Sequence, residues 1–141
     1  MTYLVDTNVW SELRNSGRAD GNVRAWAETV DPADMYLSVV TVFELERGVL
    51  LIERRDPQQG ARLRRWLEQH VLEPFDTQIL PIDTPIARRS AALHIPDPRP
   101  ERDALIAATA LTHGLTVTTR NTVDFEPMSV ALLNPWLAAA T

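Results

Sequence analysis

Four acids stand where a carboxylate could do chemistry: Asp6 in "YLVDTNVWSELR", Glu44 in "SVVTVFELERGV", Asp103 in "PDPRPERDALIAATALTHG" and Asp124 in "VTTRNTVDF". Each also has a plain structural reading. Asp6, Thr7 or Asn8 can cap a helix by accepting from its free N–H groups. Thr41-x-x-Glu44 fits a capping box. Asp103 in a first helical turn is favoured by the macrodipole, and Asn121 and Asp124 make turns. Any one of these suffices alone. Four acids at one edge of a sheet would repel one another unless a cation neutralised them or their pKa values rose. The chain has no Cys, and His70, His94 and His113 show no ligand spacing, so the donors are hard oxygens. Oxygen donors suit Mg²⁺ or Mn²⁺ rather than zinc. A water on such an ion can serve as nucleophile, which points to metal-assisted phosphodiester hydrolysis.

The elements that would position these acids follow from apolar periodicity. Residues 3–5 read as a strand, 8–15 and 22–30 as helices, and 35–40 as a buried strand. A helix over 42–54 with its cap at Thr41 follows, then a helix over 57–72 with one wet face carrying Arg62, Arg64 and Arg65. Strand 79–82, helix 85–94, the breaker "IPDPRP", helix 102–113, strand 115–118 and a last strand 128–133 complete the series, with a polar loop at 119–124. Such alternation predicts an α/β fold, a parallel sheet covered by helices on both faces. Ligands in these sheets bind beyond the carboxyl ends of the strands. Asp6 lies at that end of the first strand, normally a central one.

Bulk properties narrow the function. The 141 residues fit one domain over 1–141, with a core that needs no disulfide or metal staple. No apolar run approaches the ~20 residues of a membrane span, and no targeting segment is evident, so a soluble, cytoplasmic protein is expected. A net charge of −5 argues against a broad nucleic-acid-coating surface, though not against a local site. All 14 basic residues are Arg. Mechanisms that need a lysine, such as Schiff bases and the P-loop, are therefore excluded.

The segments "VDTNVW" at 5–10, "ELERG" at 44–48, "DALIAATA" at 103–110 and "TTRNTVDF" at 118–125 resemble, in order and over nearly the whole chain, the PIN-domain family. Within it they are most similar to the VapC-type ribonuclease toxins of type II toxin–antitoxin pairs. The resemblance implies a three-layer α/β/α sandwich with a central parallel sheet of about five strands and an acidic pocket for one or two Mg²⁺ or Mn²⁺ ions. Asp6, Glu44 and Asp103 match the family's three most regular acids. Many relatives carry an acid where this chain has Asn121; Asp124 is the favoured fourth acid here, with Asn121 a neutral or water-mediated ligand. Asn8 and Thr119 match polar positions that orient a ligand or water. Arg47, Arg99, Arg102 and Arg120 lie near the motifs and are candidate contacts to RNA phosphates. The resemblance also implies a homodimer, held inactive by an antitoxin whose C-terminal tail runs through the active-site groove.

Two other classes compete. A catalytically silent PIN-like module binding RNA or protein gains nothing from gathered like charges. A haloacid-dehalogenase-type phosphatase would need D-x-D and a lysine, and here Asp6 is followed by Thr7 and Asn8. Trp10, Trp26, Trp66 and Trp136 are expected in the core. Helices carrying the first three could also offer an apolar groove to a partner helix.

Overall fold

The computed structural model describes residues 1–15 and 17–138. Its centre is a sheet of five parallel strands: β1 (Tyr3–Val5), β2 (Met35–Ser38), β3 (Ile79–Leu80), β4 (Thr116–Thr118) and β5 (Leu132–Leu133). They lie in the order β3-β2-β1-β4-β5, and Leu4 of β1 pairs with Tyr36 of β2 on one side and Val117 of β4 on the other. The chain builds outward from β1 through β2 to β3, then returns across the sheet to β4 and β5. The order therefore reverses beside β1, which is the switch point where α/β sheets open a crevice.

Alternating side chains of these short strands feed two cores. Val5, Met35 and Leu37 join Val9, Trp10, Val23 and Leu45 on one face. Leu4 and Val117 join Ile106, Ala107 and Phe125 on the other. The covering helices are α1 (Thr7–Leu13), α2 (Gly21–Thr29), α3 (Val39–Arg55), α4 (Pro57–Trp66), α5 (Thr84–Leu93), α6 (Glu101–His113) and α7 (Thr122–Phe125). This is the expected three-layer arrangement. Small residues bring α6 close to the sheet: Ala104, Ala107, Ala108 and Ala110 are wholly buried. Gly114 ends α6 in the left-handed region at φ 67°, which only glycine adopts without a Cβ penalty. Among the described residues, no helix is long and apolar enough to cross a membrane.

Several expected boundaries shift for visible reasons. The second strand stops at Ser38 rather than residue 40, because the Ser38 hydroxyl accepts from the Val40 N–H and starts α3 there. Thr41 is thus not a cap but a buried residue inside α3, and the capping box with Glu44 does not form. The helix expected over 57–72 is regular only to Trp66 and continues as a wider π-type turn over Leu67–Leu72. The loop at 119–124 contains the start of α7, and the last strand shrinks to Leu132–Leu133 behind a 3₁₀ turn at Glu126–Met128. Trp10 is buried, edge-on to Phe75, whereas Trp26, Trp66 and Trp136 are half-buried against the same core.

Candidate active site

Asp6 follows β1 directly, and its backbone N–H donates to the Thr118 carbonyl of β4 at 2.9 Å. The residue is thereby fixed between the two central strands, 1% exposed. Its side chain does two jobs. Oδ1 accepts from the Thr7 N–H at 2.8 Å and caps α1, while Oδ2 accepts from the Thr119 hydroxyl at 2.8 Å. The cap and the site acid, alternatives at the level of sequence, are the same carboxylate.

Glu44 arrives from α3, six residues past its cap, so its side chain is not engaged with the helix terminus. The Thr7 hydroxyl donates to its Oε1 at 2.6 Å and lies 3.1 Å from the Thr41 hydroxyl. Asp103 stands in the first turn of α6 and is 5% exposed. Three elements therefore deliver three carboxylates to one point.

That point is filled by Arg102. Its Nη2 donates to Asp6 Oδ1 and to Glu44 Oε1, each at 2.7 Å, its Nε to Glu44 Oε2 at 2.9 Å, and its Nη1 to Asp103 Oδ1 at 2.6 Å. Charge-assisted bonds of this length are the strong kind, and the pair with Glu44 is bidentate. The electrostatics follow the geometry. Burial pushes the Glu44 carboxyl up, but the Arg102 and Thr7 hydrogen bonds and the charges of Arg102 and Arg47 outweigh it and hold Glu44 below its ordinary value. Burial likewise raises Asp103, and there it prevails, helped by the charges of Asp6 and Asp124 against the opposing bond from Arg102. Burial would ease the proton off Arg102, yet its bonds to Glu44 and Asp6 hold it firmly charged.

A second layer of polar groups fixes Asp6. The Thr119 hydroxyl that donates to Asp6 accepts from Asn8 Nδ2 at 3.2 Å and from the Asn121 N–H at 3.1 Å. Asn8 Oδ1 in turn accepts from the Arg120 N–H at 3.4 Å. Beside Asp6 a cleft of about 580 Å³ opens, bordered by Asn8, Asn121, Arg14, Arg18, Arg120 and Trp136. The Arg120 guanidinium stacks 5.2 Å from the centre of the Trp136 ring.

The sequence-level candidates divide accordingly. Asp6, Glu44 and Asp103 converge, with Asn8 and Thr119 beside them. Asp124 lies exposed on the first turn of α7 and makes no ion pair among the described residues, but its charge is felt at Asp103. Asn121 lines the cleft but contributes only its backbone to the network. Arg47 lies over the Phe43 ring at 5.0 Å, and Arg99 is tied through its backbone N–H to His94 Nδ1 at 3.0 Å, with its Nε buried and unpartnered. Arg102, a candidate phosphate contact, is here ion-paired to the acids. Thr7, Arg14, Arg18 and the placement of Trp136 in the cleft were not expected. Thr7 adjoins Asp6 in sequence, the one signal that could have marked it.

Among the described residues, no three Asp, Glu, His or Cys side chains are drawn together tightly enough to form a ready metal cage. The acids are spaced around a guanidinium. Even so, the donor chemistry fits a hard divalent ion: the groups around the Arg102 guanidinium are four carboxylate oxygens and the Thr7 hydroxyl, all oxygen donors.

A family model of the PIN domain matches residues 3–128. The chain belongs to the PIN-domain family. It is similar to Toxin FitB of Neisseria gonorrhoeae, 40% identical over 138 residues that cover 94% of this chain and 97% of that protein. It is also similar to Ribonuclease VapC14 of Mycobacterium tuberculosis, 48% identical over 75 residues, 53% of this chain and 72% of that one. Among solved structures, the FitAcB complex from N. gonorrhoeae superimposes with a TM-score of 0.88 at 38% identity, covering 96% of this chain and 99% of its counterpart. A toxin–antitoxin complex from Klebsiella pneumoniae matches at 0.65 and 28%, covering 96% and 98%.

Proposed function

We propose that this protein is a Mg²⁺- or Mn²⁺-dependent endoribonuclease, the toxin of a toxin–antitoxin pair. The observation that carries the reading is the convergence of Asp6, Glu44 and Asp103 on a single cation at the switch point of the sheet, in a PIN-family chain. Relatives named as a ribonuclease and as a toxin support the activity, and neighbours named as toxin–antitoxin complexes support the partner.

Asp6, Glu44 and Asp103 would hold one or two metal ions, and Asp124 on α7, whose charge acts on Asp103, is the acid from which a fourth ligand would come, with Asn121 just ahead of that helix as the neutral alternative. An ion there would supply Lewis-acid chemistry, offsetting charge on a scissile phosphate and making water a better nucleophile. The chain supplies the rest. Thr7 and Thr119 lock the Glu44 and Asp6 carboxylates in orientation. Arg14, Arg18 and Arg120 line the cleft with positive charge for the RNA backbone, which lets a protein of net charge −5 hold RNA locally. The exposed face of the Arg120–Trp136 pair offers a platform for an unpaired base, so the substrate is RNA in single-stranded form. The antitoxin is expected to lay its C-terminal tail in this cleft, and the toxin to work as a homodimer.

The test is incubation of partner-free protein with an RNA pool, with and without Mn²⁺ or Mg²⁺, beside Asp6→Asn. Metal-dependent cutting lost in the variant supports the reading. A folded wild type that binds RNA without cutting it would replace this reading with a silent RNA-binding module.

A further inference from the structure

Arg102 raises a question that the nuclease reading leaves open, because it stands where that reading would put a metal. We infer that Arg102 is a built-in counter-cation that competes with divalent metal for Asp6, Glu44 and Asp103, so that metal binds only as this guanidinium withdraws. The inference rests on the metal-binding reading of the site.

Three observations carry it. First, the guanidinium uses the oxygens a metal would need. Asp6 Oδ2 is taken by Thr119, and its other oxygen by Arg102. Both Glu44 oxygens and Asp103 Oδ1 also bond to Arg102. Hard ions of this class sit about 2.1 Å from each ligand oxygen, well inside the 2.6–2.9 Å of these hydrogen bonds. The three acids must therefore close inward around a metal, onto the volume the guanidinium fills. Two cations in that volume would also repel each other.

Second, Arg102 has a way out. Its side chain is 31% exposed, whereas those of Asp6 and Asp103 are 1% and 8% exposed. It borders both the cleft beside Asn8 and a second hollow lined by Val40, Phe43, Arg47 and Leu105. The backbone at the start of α6 can stay in place while the long side chain rotates. Third, among the described residues no other cationic side chain pairs with these acids. Removing Arg102 would leave three gathered carboxylates with no paired cation, the charge of Arg47 acting on Glu44 alone and from outside the cluster.

The experiment is calorimetric titration of Mn²⁺ into partner-free wild type, Arg102→Ala and Arg102→Gln, with thermal melting of each with and without the ion. The glutamine variant keeps most of the stem and no charge, and it carries the test if the alanine variant does not fold. The expected result is Mn²⁺ affinity at least tenfold higher in the variants, with a melting point lower than wild type in the absence of metal and raised further by Mn²⁺. Guanidinium ion at tens of millimolar, against sodium at equal ionic strength, should weaken Mn²⁺ binding to Arg102→Ala and leave wild type nearly unchanged. Equal or weaker Mn²⁺ binding by folded variants would overturn the inference and leave the metal reading standing. No Mn²⁺ binding by any of the three proteins would overturn the metal reading and the inference with it.

Discussion

Arg64 and Arg102 each hold three carboxylates. Arg64, on α4, reaches Glu46 at 2.6 Å and Glu53 at 2.9 Å, with Glu68 at 3.6 Å, and those glutamate side chains are 34–47% exposed. Arg102 holds acids that are 1%, 8% and 19% exposed. The counts are alike and the physics is not. Around Arg64, water solvates every partner, so removing the arginine leaves carboxylates that are comfortable alone. Around Arg102, the acids cannot all stay ionised without a cation, because burial and mutual repulsion act together. The first cluster fastens two helices. The second gathers buried negative charge around one cation at the switch point of the sheet.

Substitutions test the contrast between the two clusters, and the largest effect belongs to function. Asp6→Asn is expected to lower RNA cleavage by about 10⁴-fold, in keeping with removal of a central catalytic group, when initial rates are compared at saturating Mn²⁺. Arg102→Ala should cost the metal-free protein about 3 kcal/mol in urea unfolding, since breaking a buried ion cluster strands its remaining charges.

Gly60→Ala should cost about 2 kcal/mol in the same measurement. A Cβ there would run into the Glu53 backbone of α3, so this glycine permits the close crossing on which the Arg64 cluster is built. Arg64→Ala should cost no more than about 1 kcal/mol, and the difference should fade in 1 M salt. If Arg64→Ala matched Arg102→Ala and resisted salt, the contrast drawn between the two clusters would collapse.

The smallest change has the opposite sign. Asp103 has its carboxyl raised in the fold above the ordinary 3.8, so the folded state holds that proton more tightly than the unfolded chain. Stability is then lost as pH rises through the window just above 3.8, and the deficit persists at neutral pH. Asp103→Asn should slightly raise the melting point of the metal-free protein at pH 7 while abolishing cleavage. Glu44, held below 4.5, works the other way: its contribution is present above that pH and is lost as pH falls through its lowered value.

The strand–helix alternation, the central place of the first strand and the gathering of three of the four acids at one sheet edge were all legible, because each depends on apolar periodicity or on adjacency to a strand end. What escaped depends on distance in the chain. Thr41 was read as a cap with Glu44, but Ser38, three residues earlier, captured that role because β2 ended sooner than its apolar run suggested. Asp124, favoured as the fourth acid from its place after a strand end and from the family resemblance, is exposed on α7 and acts on Asp103 through its charge. No local pattern could reveal that Arg102 would reach Asp6 and Glu44, since neither lies within fifty residues of it in sequence. The thin edge strands β3 and β5, two residues each, were overextended for a related reason: apolar runs continue past the point where neighbouring strands stop pairing.

The separation of Asp6 from Asp103 has a consequence for how the protein is made. At about 5–20 residues per second, synthesis needs some 5–20 s to pass from the first of these acids to the second. A chain interrupted before Glu101 carries Asp6 and Glu44 but neither Asp103, Arg102 nor the Thr119 that orients Asp6. β4, which pins Asp6 through Thr118, is also still to come. The three acids, the arginine that gathers them and the threonine that orients Asp6 therefore come together only when the last 41 residues fold back onto the first strand.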